Sequence, residues 1–168
     1  MKTILTFAFL FLSLIPFAQD INRKMVDEKA KGEILIGLCN KQGLMQTPFS
    51  DWSFTEFNTY KPDTRVLGEL KNYTGKWRVN IVFGTWCSDS QREVPRFLKI
   101  AENTGLSSDD IKIIGVDSQK TGGDVDISGL KIEKVPTFIF YVNEKEIGRI
   151  IETPKVNIET DLLNFLKQ

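Results

Sequence analysis

The sequence predicts an α/β fold, a central mixed β-sheet flanked by helices on both faces. Three observations lead there: short β-branched and aromatic runs at 33–39, 78–84, 111–116 and 137–142, helix-compatible stretches between them, and two adjacent runs at 137–151 joined by a polar turn. Early alternation implies parallel strands with crossover connections, and the adjacent pair adds an antiparallel edge.

The first 18 residues stand apart. Lys2 supplies a positive start, 4–15 is an apolar run, and Pro16-Phe17-Ala18 closes it on a small residue, so residues 1–18 read as a cleaved secretory signal peptide. A run of about 12 residues falls short of the roughly 20 that span a bilayer, and no stable membrane insertion is expected after cleavage. The expected address is exported, periplasmic or extracellular. Residues 19–31 read as an N-terminal extension and 32–168 as one domain with a sizeable core. Lys2 is the only charge among the first 19 residues, so the remainder carries 21 basic against 22 acidic residues. That near-neutral mixture offers no pull toward nucleic acid.

Within the extension, 22–30 is polar and helix-compatible. Residues 33–39, ending in Cys39, read as one short strand. Residues 46–60 carry Phe49, Trp52, Phe57 and Tyr60 near helical spacing, aromatics that suit the cover of a sheet face. Asp63 is a candidate N-cap for a short helix through Val66, Leu67 and Leu70. The strand at 78–84 leads into a helix over 88–102, with Val94, Phe97, Leu98 and Ala101 on one stripe and Pro95 inside. A strand follows at 111–116, then a polar loop at 117–123 and a weak helical turn at 125–130. The hairpin at 137–151 turns through a three-residue loop, 143–145. Asn157 then caps a last amphipathic helix with Ile158, Leu162, Leu163 and Leu166.

The chain has no histidine and two cysteines. Ser-His-Asp and Cys-His catalysis are therefore excluded, a zinc site is not expected, and no cofactor is implied. What remains is Trp86-Cys87-Ser88-Asp89-Ser90, where a strand hands over to a helix. A cysteine there faces unpaired backbone N–H groups and the positive end of the helix dipole, which favour its thiolate. Asp89 and Glu93 act in the opposite sense, while Asp89 also suits a helix's first turn.

In both element order and motif the chain resembles the thioredoxin superfamily over residues 32–168. Trp86-Cys87 follows the second strand of that order, Ser90 occupies the position of the family's resolving cysteine, Pro95 matches its helix proline, and Val135-Pro136-Thr137 resembles its cis-proline segment. The resemblance implies a thioredoxin-like fold, with the third strand between the first and second. It also implies a cis Pro136 that sets the Val135 backbone beside Cys87, and substrate-binding roles for Trp86, Val135, Pro136 and Thr137. The family's buried acid falls on Ile81, so that proton relay is missing.

Ser90 in place of cysteine removes the internal disulfide that normally releases a reduced client. Its hydroxyl either hydrogen-bonds the Cys87 thiolate or is simply a polar residue in a first helical turn. Cys39 is either a buried structural thiol, a resolving thiol or a disulfide partner. The implied sheet order brings it toward the Cys87 end, two strand spacings away, and about 10 Å exceeds the roughly 4.4–6.8 Å that a disulfide spans between Cα atoms.

The expected function is thiol-disulfide exchange through Cys87 alone, with disulfide-containing client proteins or small thiols as partners. The alternative is a non-catalytic module that binds extended client segments around Trp86, Val135 and Pro136. A third reading, peroxide reduction, requires a sulfenic acid at Cys87.

Overall fold

A computed structural model describes residues 20–168, and the expected leader lies outside the described residues. The chain opens with a hairpin, β1 (Lys24–Asp27) and β2 (Gly32–Leu35), that forms its own two-stranded antiparallel sheet. A strand thus replaces the expected helix-compatible stretch at 22–30. Pairing with β2 makes it a strand, and the Asp27 carboxylate, accepting from the Lys29 and Ala30 N–H groups, closes the turn between the two just where a helix would have to continue. Ser118 donates its N–H and hydroxyl to the same carboxylate, which ties the hairpin to the loop after the central strands. These hydrogen bonds, the Ser118 N–H foremost, hold the Asp27 carboxyl down at about 2.

The expected single strand at 33–39 is broken. Gly37 has φ +79°, a left-handed conformation that ends β2 and starts β3 (Gly37–Cys39) in a different sheet. Three helices follow: α1 (Lys41–Leu44), α2 (Ser50–Thr59) and α3 (Thr64–Leu70). Asp63 caps α3 by accepting from the Arg65 and Val66 N–H groups.

The main sheet has five strands in the order β3-β5-β4-β6-β7, with β4 at Arg78–Phe83, β5 at Ile111–Gly115, β6 at Thr137–Val142 and β7 at Lys145–Ile151. Only β4 and β5 pair in parallel, joined by helix α4 (Ser88–Thr104); every other neighbour in this sheet is antiparallel. The β6–β7 hairpin closes through two residues rather than three. Asn143 and Glu144 both take positive φ, the geometry whose twist matches a two-residue hairpin.

Helices α1 to α4, together with α5 (Ile158–Leu166), bury their apolar sides in one core with Val79, Ile81, Phe83, Ile113, Phe138 and Phe140 of the sheet. Phe97 of α4 lies 5.6 Å from Phe138 and 6.3 Å from Phe140, centroid to centroid. The opposite sheet face, bearing Val82 and Ile114, is covered by Val125, Ile127, Leu130 and Ile132. There the expected helical turn at 125–130 shrinks to a 3₁₀ turn at Ser128–Leu130. The fold class is thus the mixed α/β sheet flanked by helices, with α-helical cover on one face and a loop with one 3₁₀ turn on the other. Gly122-Gly123 and an Asp117 side chain that accepts from Gln119 and Thr121 favour turns over a helix in that loop. Among the described residues, no helix is long and apolar enough to cross a membrane.

Candidate active site

Cys87 is the N-cap of α4, with extended backbone (φ −93°, ψ 123°) and a partly exposed side chain. Strand β4 ends at Phe83, and Gly84-Thr85-Trp86 carries the chain over to it. This loop is short because it folds on itself: the Cys87 N–H donates to the Gly84 carbonyl at 3.0 Å. Gly84 is required by packing, since a Cβ there would lie 2.5 Å from Cε2 of Trp86. The indole lies against Gly84 and donates its Nε1–H to the Val116 carbonyl at 3.1 Å.

The Cys87 thiol donates to the Val135 carbonyl at 3.1 Å, across a sequence separation of 48 residues. The Val135–Pro136 peptide bond is cis, and the Pro136 carbonyl accepts from the Glu152 N–H at 2.7 Å. Thr137 is buried, and its hydroxyl donates to the Lys134 carbonyl at 2.7 Å. Cys87, Trp86, Val135 and Pro136 therefore meet at one end of the sheet. Thr137 stands behind them, inside the protein.

The Ser90 hydroxyl is hydrogen-bonded to Gly84, and the Cys87 thiol to Val135. Ser90 is fully buried, and its hydroxyl accepts from the Gly84 N–H at 3.3 Å, closing the loop from beneath. The alternative in which Ser90 bonds the Cys87 sulfur is set aside for a physical reason. The first turn of α4 aims position 90 back toward β4, where Gly84 leaves an N–H to be satisfied.

Asp89 and Glu93 are held by one guanidinium. Arg92 donates to Asp89 at 2.6 Å and to Glu93 at 2.7 Å, and Arg96 lies 3.8 Å from Glu93. Glu93 is buried within this network. The two carboxylates next to the thiol in sequence are thus paired within their own helix. Arg92, Glu93 and Arg96 also line a polar cleft of about 630 Å³ with Tyr60, Pro154 and Glu159.

Cys39 is elsewhere. Because β3 runs antiparallel to β5, its last residue sits beside Ile113, and Ile113 sits beside Ile81 in β4. Cys87 lies past Phe83, which is beside Gly115. The expectation that both cysteines share one end of the sheet is therefore corrected by strand direction: two strand spacings of about 10 Å combine with about 7 Å along the strands before the loop to Cys87 begins. Both cysteines are free, and disulfide geometry is out of reach. Cys39 is 6% exposed, donates to the Gly37 carbonyl and lines an apolar groove of about 320 Å³ with Leu98, Leu106 and Ile113. Burial pushes its thiol up to about 12.

Two parts of the site escape a reading of the sequence: the Val116 carbonyl, which anchors Trp86, and Gln91, whose Nε2 donates to the Thr85 carbonyl at 2.8 Å. A glycine two residues before a tryptophan was the available signal for the first, and nothing in the residue pattern marks the second. Among the described residues, no cluster of three or more His, Cys, Asp or Glu is placed to hold a metal ion.

No protein family matches the chain, and no curated protein sequence does. Solved structures similar to it include three at low identity. A protein of unknown function from Pseudomonas aeruginosa is 14% identical, over 69% of this chain and 80% of that one, with a TM-score of 0.48. An HIV epitope-scaffold is 16% identical over 69% and 70%, with a TM-score of 0.43. Mitochondrial thioredoxin 3 from Saccharomyces cerevisiae, in its oxidised form, is 18% identical over 67% and 97%, with a TM-score of 0.38. None of these likenesses carries a residue role or an activity to this chain.

Proposed function

We propose that this chain is an exported thioredoxin-like thiol-disulfide oxidoreductase that works through Cys87 alone. The observation that carries the reading is the partly exposed Cys87 thiol at the N-cap of α4, 3.1 Å from the carbonyl before Pro136. At that cap the sulfur stands at the positive end of the helix dipole, beside the first N–H groups of α4, which lack intrahelical acceptors. The Val135-Pro136 segment, with Trp86 opposite, forms the ledge on which an extended client lies. The N-terminal apolar run supports the exported setting, where client disulfides form.

In the first step the Cys87 thiolate attacks one sulfur of a client disulfide. The Cys87–client disulfide forms, the client's own S–S bond breaks, and the second client sulfur leaves as a thiolate that takes a proton from solvent. A second thiol then attacks the mixed disulfide at the client sulfur and releases the Cys87 thiolate. If that thiol belongs to the client, the net reaction is isomerisation with no change in oxidation state. When small thiols supply it, two of them are oxidised to a disulfide for each client disulfide reduced. Ser90 and Cys39 take no part, the first for want of sulfur and the second for distance.

The test is turnover of a scrambled-disulfide substrate by the reduced protein. Wild type is expected to turn over and Cys87→Ser to fall to the uncatalysed rate; equal turnover would falsify the catalytic reading. A client that binds equally to both without turnover would leave the fold as a non-catalytic binding module.

A further inference from the structure

We infer that Gln91 is a positioning residue for Cys87, acting through the loop that carries it. The inference rests on the reading of Cys87 as the nucleophile and adds a residue that motif and spacing do not reveal. Loop 84–86 must hold Cys87 against Val135, yet it has little regular structure of its own. It is tied at four points: Gly84 N–H to Ser90 Oγ at 3.3 Å, Thr85 carbonyl to Gln91 Nε2 at 2.8 Å, Trp86 Nε1–H to the Val116 carbonyl at 3.1 Å, and Cys87 N–H to the Gly84 carbonyl at 3.0 Å. The Gln91 tie is the shortest of the four and holds the middle of the loop.

Thr85 makes that tie matter. Its side chain is buried, and its hydroxyl has no hydrogen-bond partner among the described residues. The residue therefore depends on its backbone carbonyl for polar anchorage, and a buried carbonyl left unpaired costs more than an ordinary hydrogen bond contributes. Gln91 is also well placed to respond to Cys87, because its own N–H donates to the Cys87 carbonyl at 2.9 Å. One residue thus grips the loop on both sides of Trp86, by its side chain before and by its backbone after. Removing the amide leaves the backbone grip and frees Thr85.

The test compares Gln91→Met, of similar shape and without a donor, with Gln91→Lys, which restores a donor. Amide hydrogen exchange reads the opening of the loop directly. Protection of the Cys87 N–H and the Trp86 indole N–H is expected to fall about fivefold in Gln91→Met, the factor one net hydrogen bond is worth, and to return in Gln91→Lys. Protection in β5 and α5 stays unchanged. The rate at which Cys87 forms a mixed disulfide with dithionitrobenzoate, breaking its S–S bond and expelling one aryl thiolate, is expected to follow the same pattern. Unchanged local protection, a loss spread equally over β5 and α5, or lost protection with an unchanged rate would each overturn the inference. A wild-type protein that forms no mixed disulfide at all would defeat the functional reading instead, and Gln91 would then be judged on exchange alone.

Discussion

The two cysteines of this chain are the same chemical group in opposite settings. Cys39 ends the edge strand β3 beside Ile113 of β5, is 6% exposed, and meets a carbonyl two residues away. Cys87 caps a helix at the end of the sheet, is partly exposed, and meets a carbonyl brought from 48 residues away. Burial at the first site disfavours the charged thiolate and pushes the thiol up to about 12. What separates an inert sulfur from a candidate nucleophile is thus where each stands relative to strand ends and helix starts.

The comparison is broken most directly by exchanging sulfur for oxygen. Cys87→Ser is expected to abolish mixed-disulfide formation with a small aromatic disulfide, read as release of the aryl thiolate, whereas Cys39→Ala leaves that rate within about twofold. Loss of reactivity in Cys39→Ala with the fold intact by circular dichroism would mean that the buried thiol takes part after all.

A smaller effect comes from the glycines beside each sulfur. A Cβ on Gly115 would lie 2.4 Å from the Leu35 carbonyl oxygen and 3.2 Å from Cys39 Sγ, and the nearest obstacle is backbone. On Gly84 the obstacle is the Trp86 side chain at 2.5 Å. Overpacking of this kind costs about 1–3 kcal/mol or more, and Gly115→Ala is expected at the upper end because a backbone cannot swing aside. Gly84→Ala is expected to destabilise less, yet to slow Cys87 more, by displacing the indole from Val116. Urea unfolding and thiolate release measured on the same samples separate the two. Equal effects of both variants on the Cys87 rate would erase the distinction.

The smallest effect is a pH dependence. The Cys39 thiol rises from 9.0 to about 12 on folding, so the folded state prefers it protonated. That contribution to stability is fully present below pH 9.0 and is lost as pH rises from there through about 12. The thermal midpoint of wild type is therefore expected to fall more steeply than that of Cys39→Ala over this range. Parallel curves would contradict the assignment.

Much of this was legible in the residues. Strands β4, β5 and β6, the cap at Asp63, helix α5 behind Asn157 and the stripe of α4 follow from local pattern, because each buries an apolar face at its own period. Helix α4 runs two residues beyond the expected end, to Thr104, where Gly105 at φ +72° donates back to Ala101 and Glu102. The meeting of Cys87 with Val135 was legible only through the resemblance, since no local rule joins residues 48 apart. What was not legible depends on distant partners. β1 is a strand because β2 pairs with it, and 33–39 splits because Gly37 turns left-handed against the loop at Gly122. The direction of β3, and with it the place of Cys39, is set by pairing with β5. Ser90 was read by its position in a motif, whereas its rotation on the helix aims it at Gly84.

The central claim, that Cys87 alone forms the covalent bond to a client, is tested most directly by trapping. The reduced protein is mixed with a disulfide-bonded peptide, quenched in acid and digested, and the adduct is located by mass spectrometry. The account predicts peptide mass on the Cys87 fragment with Cys39 as a free thiol. Peptide on Cys39, or a Cys39–Cys87 disulfide accumulating as the peptide is released, would contradict it.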